Sequence, residues 1–241
     1  MSDIETQQLD ATSFWRAKVV RTLAAATLVA VGSCGQAESP KRPQAEPPTE
    51  QHPITKDIGT GVEVSITLPQ GWSGEPRGGY VCGVICDEPT GAAIIAFNDR
   101  EYFAYGDPCR WSTSKPKPHA TTAEALVEQL AKQTRRVASE PESVTVDGRA
   151  GTKIILKMAE DVKAEGDVFP GCDDDKFALL GVKGEDPGRW SQGKGQVEEV
   201  WAVDVDGAIA VLIGLYFPQT PEEDVDAVRG ALASMTFAEN R

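Results

Sequence analysis

Histidine is scarce in this chain of 241 residues, which contains only two. His52 lies in a proline-rich segment, so His119 is the single histidine of the remaining body, in a turn-like stretch where a solvated loop side chain is expected. Triad catalysis needs a base beside a nucleophile, and zinc sites built on histidine need several such ligands. The shortage therefore argues against both kinds of site.

Basic residues are also few. The chain has 24 Lys and Arg residues against 37 Asp and Glu residues, a formal net charge of −13. Nucleic-acid binding needs a basic face, and anionic lipid head groups repel a chain of this charge. A content of 40% hydrophobic and 25% charged residues is typical of an ordinary globular domain. We expect no nucleic-acid partner.

The apolar run after Arg21, residues 22–33, is twelve residues long, whereas a membrane-spanning helix needs about 20. A basic flank precedes it and small residues follow it, which is the layout of an export signal. The residues Val31-Gly32-Ser33-Cys34 resemble the lipobox of bacterial lipoproteins. Residues 1–33 are therefore interpreted as a signal peptide, and Cys34 as the residue that is lipidated.

Acyl chains at Cys34 would then anchor the protein to the extracytoplasmic face of the cell membrane. The alternatives are a buried core helix over the apolar run and a plain secreted or cytosolic cysteine. Acidic residues before the run are unusual in a signal peptide, so the true start of translation is also open, with Val19 or Val20 as candidate positions.

Residues 34–56 are rich in proline and contain no aromatic residue. Such a segment cannot bury enough apolar surface to fold, so we expect a disordered, extended tether. In polyproline geometry, roughly 20 residues reach ~60 Å from a membrane. Residues 57–241 are expected to form a single folded domain.

Local patterns give the order of elements in that domain. Alternating apolar and polar residues predict a strand over 62–68, and an apolar run predicts another over 91–97. Asp147-Gly148 and Asp206-Gly207 each lie between β-rich runs and predict tight antiparallel hairpins.

Two helices complete the pattern, followed by a short final strand. The first is predicted from a capping box of Thr121 and Glu124, and the second from Thr220 as N-cap with Pro221 at the first helical position. Their apolar stripes are Leu126, Val127, Leu130 and Val137 in the first, and Val225, Val228, Leu232 and Met235 in the second. The predicted fold class is α+β, an antiparallel sheet with helices packed on it.

Four cysteines remain besides Cys34, namely Cys82, Cys86, Cys109 and Cys172. In an exported protein they are expected to form disulfides, and four cysteines allow three pairings. A metal site is the alternative, although the second pair lacks the close spacing of structural zinc sites. In an extended strand Cys82 and Cys86 would lie about 13 Å apart, so their pairing requires a turn between them.

Carboxylates are abundant, so acid/base chemistry is weighed next. Glu198 and Glu199 are neighbours on a predicted strand and point to opposite faces, while Asp204 and Asp206 share a face near a turn. Solvated strand edges and turn chemistry are the favoured interpretation of both pairs. The run Asp173 to Asp175 is a candidate for calcium or for a carboxylate hydrolase, but it lacks the spacing of an EF-hand loop.

An aromatic group surrounds Gly106-Asp107-Pro108-Cys109 and consists of Tyr102, Phe103, Tyr105 and Trp111. Filling of the core is the first interpretation. The alternative is an exposed patch that binds a partner or ligand.

Several segments together resemble a widespread group of exported actinobacterial proteins. They are Asp107-Pro108-Cys109-Arg110-Trp111, Cys172-Asp173, Gly193 to Val197, Trp201 to Gly207, and Tyr216 to Thr220. The resemblance implies that Cys109 pairs with Cys172 and leaves Cys82 with Cys86. The opening Ile66-x-Leu68-Pro69-x-Gly71-Trp72 also resembles the Mog1/PsbP-type α/β/α sandwich, whose members are mostly binding or assembly proteins.

The function predicted from the sequence is a membrane-anchored lipoprotein that binds an envelope protein or glycolipid without catalysis, cofactor or metal. A carboxylate-based envelope hydrolase and a small-molecule receptor are the alternatives. A deep pocket with two convergent carboxylates would favour the hydrolase, and an apolar cavity would favour the receptor.

Overall fold

A computed structural model describes residues 53–57, 62–68, 72–75, 80–82, 91–97, 102–114, 118–182 and 185–239. All of them belong to one compact unit, Glu46–Arg241. The predicted signal peptide, Cys34 and most of the predicted tether lie outside the described residues.

Fourteen strands and two α-helices are described. In chain order they are β1 Pro53–Asp57, β2 Val62–Thr67, β3 Ser73–Glu75, β4 Tyr80–Cys82, β5 Ala92–Phe97, β6 Tyr102–Phe103, α1 Ala123–Ala131, β7 Arg136–Ala138, β8 Glu142–Val146, β9 Arg149–Met158, β10 Ala178–Val182, β11 Glu185–Trp190, β12 Val197–Val205, β13 Ala208–Tyr216, α2 Glu222–Ala233 and β14 Thr236–Glu239. Strand β1 falls almost wholly inside the predicted tether, so residues 53–56 are paired in a sheet rather than disordered.

The strands form three sheets. The central sheet has the order β3-β4-β5-β13-β12-β9-β7, with β8 also paired to β9, and the two smaller sheets are β1-β2-β14 and β11-β10-β6. Every described strand pair is antiparallel. The predicted α+β class with an antiparallel sheet is confirmed.

Two tight turns organise the centre of the large sheet. Asp147 and Gly148 join β8 to β9 with φ values of 48° and 74°, and Asp206 and Gly207 join β12 to β13 with φ values of 50° and 89°. Positive φ at both central residues is the geometry that matches the twist of paired strands, and glycine adopts it without strain. Both predicted hairpins are confirmed.

The central sheet is covered on both faces. On one face, α2 and β2 bury Val228, Leu232 and Val64 against the sheet, and on the other face α1 buries Leu126 and Leu130. Gly214 lets α2 approach closely, because a Cβ atom built at this position would lie 2.4 Å from the Val228 side chain. The two faces give two hydrophobic cores separated by one sheet.

The ends of the helices differ from prediction. The hydroxyl of Thr122, rather than Thr121, caps α1 by accepting a hydrogen bond from the Ala125 N–H at 3.1 Å. Val137, expected on the same helix, lies instead on β7 and is 60% exposed. The helix ends at Ala131, and Arg135 with φ of 58° turns the chain into the strand.

Thr220 does not cap α2 through its side chain. Its hydroxyl accepts from the Phe217 N–H at 2.9 Å and donates to the Gly91 carbonyl at 2.8 Å. The helix begins at Glu222, directly after Pro221. Thr220 therefore closes the turn after β13 and ties it to the start of β5.

Candidate functional site

A groove of about 710 Å³ lies on the α2 face of the central sheet, at the end that the helix leaves uncovered. Strand register places Tyr216 beside Val197, Val197 beside Lys157, and Lys157 beside Val137. Because directly paired residues share a face, these four form a row across β13, β12, β9 and β7. Residues of α2 and of the turn after β13 also line the groove.

The lining of this groove is mainly apolar. Its apolar members include Val137, Ala138, Ile155, Val197, Phe217, Pro218 and Val225. The charged members are Lys157, Arg229 and Glu222, and the hydroxyl-bearing members are Ser139, Tyr216 and Thr220. Concave apolar surface with a few polar groups is the usual composition of a ligand site.

Arg229 on α2 makes the polar part of the groove wall. Its Nε donates to the Glu199 carboxylate at 3.1 Å, and its second guanidinium nitrogen donates to the Tyr216 hydroxyl at 3.3 Å. The hydrogen bond to Glu199 raises the pKa of Arg229. Burial, with the adjacent Glu199 charge, raises the pKa of Tyr216. Arg229 therefore stays protonated and Tyr216 stays a neutral phenol at physiological pH.

Glu198 points to the opposite face and is fully buried. Its carboxylate pairs with Arg136, and it accepts from the Ser191 hydroxyl at 2.9 Å and from the Gln196 side-chain amide at 2.8 Å. The Arg136 guanidinium also lies 4.9 Å from the centre of the Phe177 ring. This cluster joins β7 to β12 and to the turn before β12.

The interpretation of Glu198 and Glu199 as solvated edge residues is wrong. They lie on β12, which is paired on both sides by β9 and β13, and both side chains are buried. The negative charge of each carboxylate is paired with an arginine from another element: Glu198 with Arg136 of β7, and Glu199 with Arg229 of α2. Such buried acids are tolerated only when paired and hydrogen-bonded.

The exposed aromatic patch considered from the sequence does not exist. Tyr102, Phe103, Tyr105 and Trp111 are all buried, at 1%, 7%, 1% and 6% exposure. Phe103 and Tyr105 meet edge to face at 5.2 Å, and the Trp111 indole N–H donates to the Asp173 carbonyl at 2.8 Å. They fill the core, which was the first interpretation.

Cys109 and Cys172 form a disulfide with a sulfur–sulfur distance of 2.07 Å. The bond lies in a small cluster with Met158, Phe169 and Phe177. It is the pairing that the resemblance implied. Cys82 is described only as the last residue of β4, and Cys86 lies outside the described residues, so their pairing stays a prediction.

In the acidic run Asp173 to Asp175, next to this disulfide, the Asp173 carboxylate accepts hydrogen bonds from residues of the protein itself. Asp173 accepts from the Ser112 N–H at 3.0 Å, from the Ser112 hydroxyl at 2.7 Å and from Arg110 at 3.3 Å. The Ser112 hydrogen bond lowers the pKa of Asp173. Asp174 and Asp175 are exposed. Among the described residues, no group of three or more His, Cys, Asp or Glu side chains is placed to hold a metal ion.

We expect Asp173→Asn to destabilise the protein by about 1 kcal/mol or less at neutral pH, because the ion pair with Arg110 is partly exposed. A carboxyl whose pKa is lowered by folding stabilises the native state above its unfolded pKa, and this contribution is lost as the pH falls through the folded pKa. The difference between wild type and variant in urea unfolding should therefore be present at pH 7 and shrink below about pH 4. Asp174→Asn is the matched control, and an equal pH dependence in both variants would contradict the assignment.

The remaining polar candidates have structural contacts. Asp204 accepts from the Ala123 N–H at 2.8 Å, at the first residue of α1, and Asp206 pairs with Arg149 at 3.1 Å. The exposed His119 ring lies 5.8 Å from the Phe103 ring. Within the described part of the chain, none of the helices has the length and hydropathy required to cross a membrane.

Comparison with known proteins gives matches among solved structures alone. No protein-family model and no curated protein matches the chain. LpqN of Mycobacterium tuberculosis, described as involved in cell envelope biogenesis, matches with 13% identity and a TM-score of 0.41, covering 78% of this chain and 91% of LpqN.

A cyanobacterial PsbP from Synechocystis sp. PCC 6803 matches with 11% identity and a TM-score of 0.35, covering 86% of this chain and 98% of that protein. The α+β class itself rests on the strand pairing and the two covered faces described above. Likenesses at these values carry no argument about activity or partner.

Proposed function

We propose that the chain is an exported, lipid-anchored binding module of the cell envelope that holds a ligand in the groove on the α2 face and catalyses no reaction. The observation that carries the binding role is the uncovered apolar end of the central sheet. Val137 is 60% exposed there, Ile155 is partly exposed, and Val197 lines the groove although it is only 5% exposed. A concave, mainly apolar lining is usual for a ligand site.

The proposed location rests on two independent features. The sequence of residues 16–34 has the layout of an export signal that ends at Cys34. The Cys109–Cys172 disulfide fits an oxidising compartment outside the cytosol. With a net charge of −13, attachment to an anionic membrane needs the acyl chains at Cys34 rather than a basic patch.

The charged groups around the groove favour binding over hydrolysis. A carboxylate-based glycoside hydrolase needs two positioned carboxylates that converge on one pocket. Among the described lining residues, the one carboxylate is that of the exposed Glu222. Glu199 is buried and is not among the lining residues. Its carboxylate already accepts hydrogen bonds from Arg229 and from the Trp201 indole.

Intact mass spectrometry of the chain extracted from membranes tests this proposal. Under denaturing conditions we expect a chain that starts at Cys34 and carries acyl groups, with Cys109 and Cys172 alkylated only after reduction. Under native conditions we expect an additional bound mass, which Val137→Glu removes because it replaces an exposed apolar side chain of the lining with a charged one. Cys34→Ala is the matched control and should abolish acylation while leaving the disulfide intact. An unprocessed chain with free thiols and no bound mass would refute the proposal.

A further inference from the structure

We propose that the ligand of this groove is a single-chain amphiphile with an anionic head group, namely a long-chain carboxylate. This inference rests on the proposed function and adds the chemical class of the ligand. Three features carry it: the apolar side chains of the lining, the ammonium group of Lys157, which has no partner among the described residues, and the hydrogen bonds that the hydroxyl groups of the lining already make.

The floor suits an alkyl chain. Val197 and the Tyr216 ring lie side by side on β12 and β13, and Ile155 and Val137 extend the surface towards the edge strand β7. A volume of about 710 Å³ falls within the range of about 300–1,000 Å³ that is usual for small-molecule sites. Each buried CH₂ group of a ligand contributes about 0.8 kcal/mol of transfer free energy, so an alkyl chain packed on the apolar side chains of the lining gains affinity from burial alone.

Lys157 supplies the charge that would bind the head group. It lies in the middle of the row, between Val197 and Val137, and its side chain is exposed. Within the described residues its ammonium group makes no ion pair or hydrogen bond. Arg229, the other cation of the lining, is already bound to Glu199. The acidic residues outside the groove are screened over about 8 Å at physiological ionic strength. Among the described lining residues, Lys157 is the cation without a carboxylate partner, and the exposed Glu222 is the one anion.

The hydroxyl groups of the lining argue against an uncharged sugar head group. The Ser139 hydroxyl accepts from the Ile155 N–H and donates to the Glu140 carbonyl. The Thr220 hydroxyl is bound to Phe217 and Gly91, and the Tyr216 hydroxyl accepts from Arg229. A polyhydroxylated ligand would have to displace these bonds or leave its own groups unpaired, which costs free energy. A carboxylate needs only one cation.

The test is a binding titration on the full chain carrying Cys34→Ser, which removes any acyl chain of its own. Laurate, dodecanol and dodecyl maltoside are the probes. Laurate and dodecyl maltoside are used below their critical micelle concentrations, and dodecanol is used below its solubility limit. We expect laurate to bind one to one and more tightly than either uncharged probe. Lys157→Gln should weaken laurate about fivefold, the upper range for one exposed charge pair, and leave dodecanol unchanged. Val137→Glu should weaken both by tenfold or more.

Lys163→Gln, which removes an exposed lysine outside the lining residues, is the matched control and should change nothing. Equal affinity for laurate and dodecanol, or no effect of Lys157→Gln, would overturn the anionic class while leaving the groove as a binding site. Binding of none of the three probes would overturn the inference, and the acylation at Cys34 would still be testable by mass. Cosedimentation with phosphatidylglycerol vesicles without uptake of free laurate would also overturn it, in favour of a membrane surface.

Discussion

Replacing Arg136 with methionine is expected to lower the free energy of unfolding by about 3–5 kcal/mol, the range for removal of one partner from a buried ion pair. Glu198 would then remain buried with only the Ser191 hydroxyl and the Gln196 amide to stabilise its charge. The interaction of the guanidinium with the Phe177 ring would be lost as well. Urea unfolding at neutral pH measures the change.

The double variant Arg136→Met/Glu198→Leu should be more stable than Arg136→Met alone, because no unpaired charge stays buried. Arg110→Met is the matched control. It removes an arginine from the pair with Asp173, where the Arg110 side chain is 52% exposed, and should cost less than about 1 kcal/mol. An equal loss in both single variants would show that burial does not set the strength of the Arg136 pair.

The second large effect is expected from the Cys109–Cys172 disulfide. Its residues are 63 positions apart in the chain, and a closed loop of this length restricts the unfolded chain by about 4 kcal/mol. The double variant Cys109→Ala/Cys172→Ala should therefore lose about that amount in urea unfolding. Alanine is the better replacement than serine, because both sites are buried among apolar residues and a hydroxyl there would lack a partner.

Reduction of the wild-type protein provides the control for this prediction. Under reducing conditions the wild type and the double variant should unfold at about the same urea concentration, because the reductant opens any bond between Cys82 and Cys86 in both. A loss below about 1 kcal/mol would contradict the loop-closure argument. It would mean that contacts such as those of Ser112 with Asp173 hold the two loops together in the unfolded chain as well.

The elements predicted well from the sequence are those with local causes. Asp147-Gly148 and Asp206-Gly207 determine their hairpins through the positive φ values of the two turn residues. Along 62–68, the alternation of apolar and polar residues matches the alternation of buried and partly exposed side chains in β2. The hairpin of β10 and β11 has no Asp-Gly pair between its strands and was not predicted. The N-caps were predicted less well than the helices themselves. Thr121 and Thr122 are neighbours that offer equivalent capping groups, and the Thr220 hydroxyl is bound to Phe217 and to the distant Gly91.

The groove and the buried acids could not be predicted, because their causes are distant in sequence. Glu198 is offset by Arg136 and Glu199 by Arg229, 62 and 30 positions away. Nothing local distinguishes these glutamates from solvated ones. In the sequence, Val137 continues the helical spacing of α1. Its position on the edge strand, where it lines the groove, follows only from the pairing of β7 with β9.

The position of β2 between β1 and β14 has a consequence for the order of assembly. Ser65 pairs with Thr55 on one side and with Thr236 on the other, and the Thr67 N–H donates to the Ser234 hydroxyl at a separation of 167 residues. Contacts of such high sequence separation form slowly. A chain that emerges from a membrane with its N-terminus first would hold β2 with one edge open until β14 arrives. The α2 face, and with it the groove, would then become native only after β14 has paired.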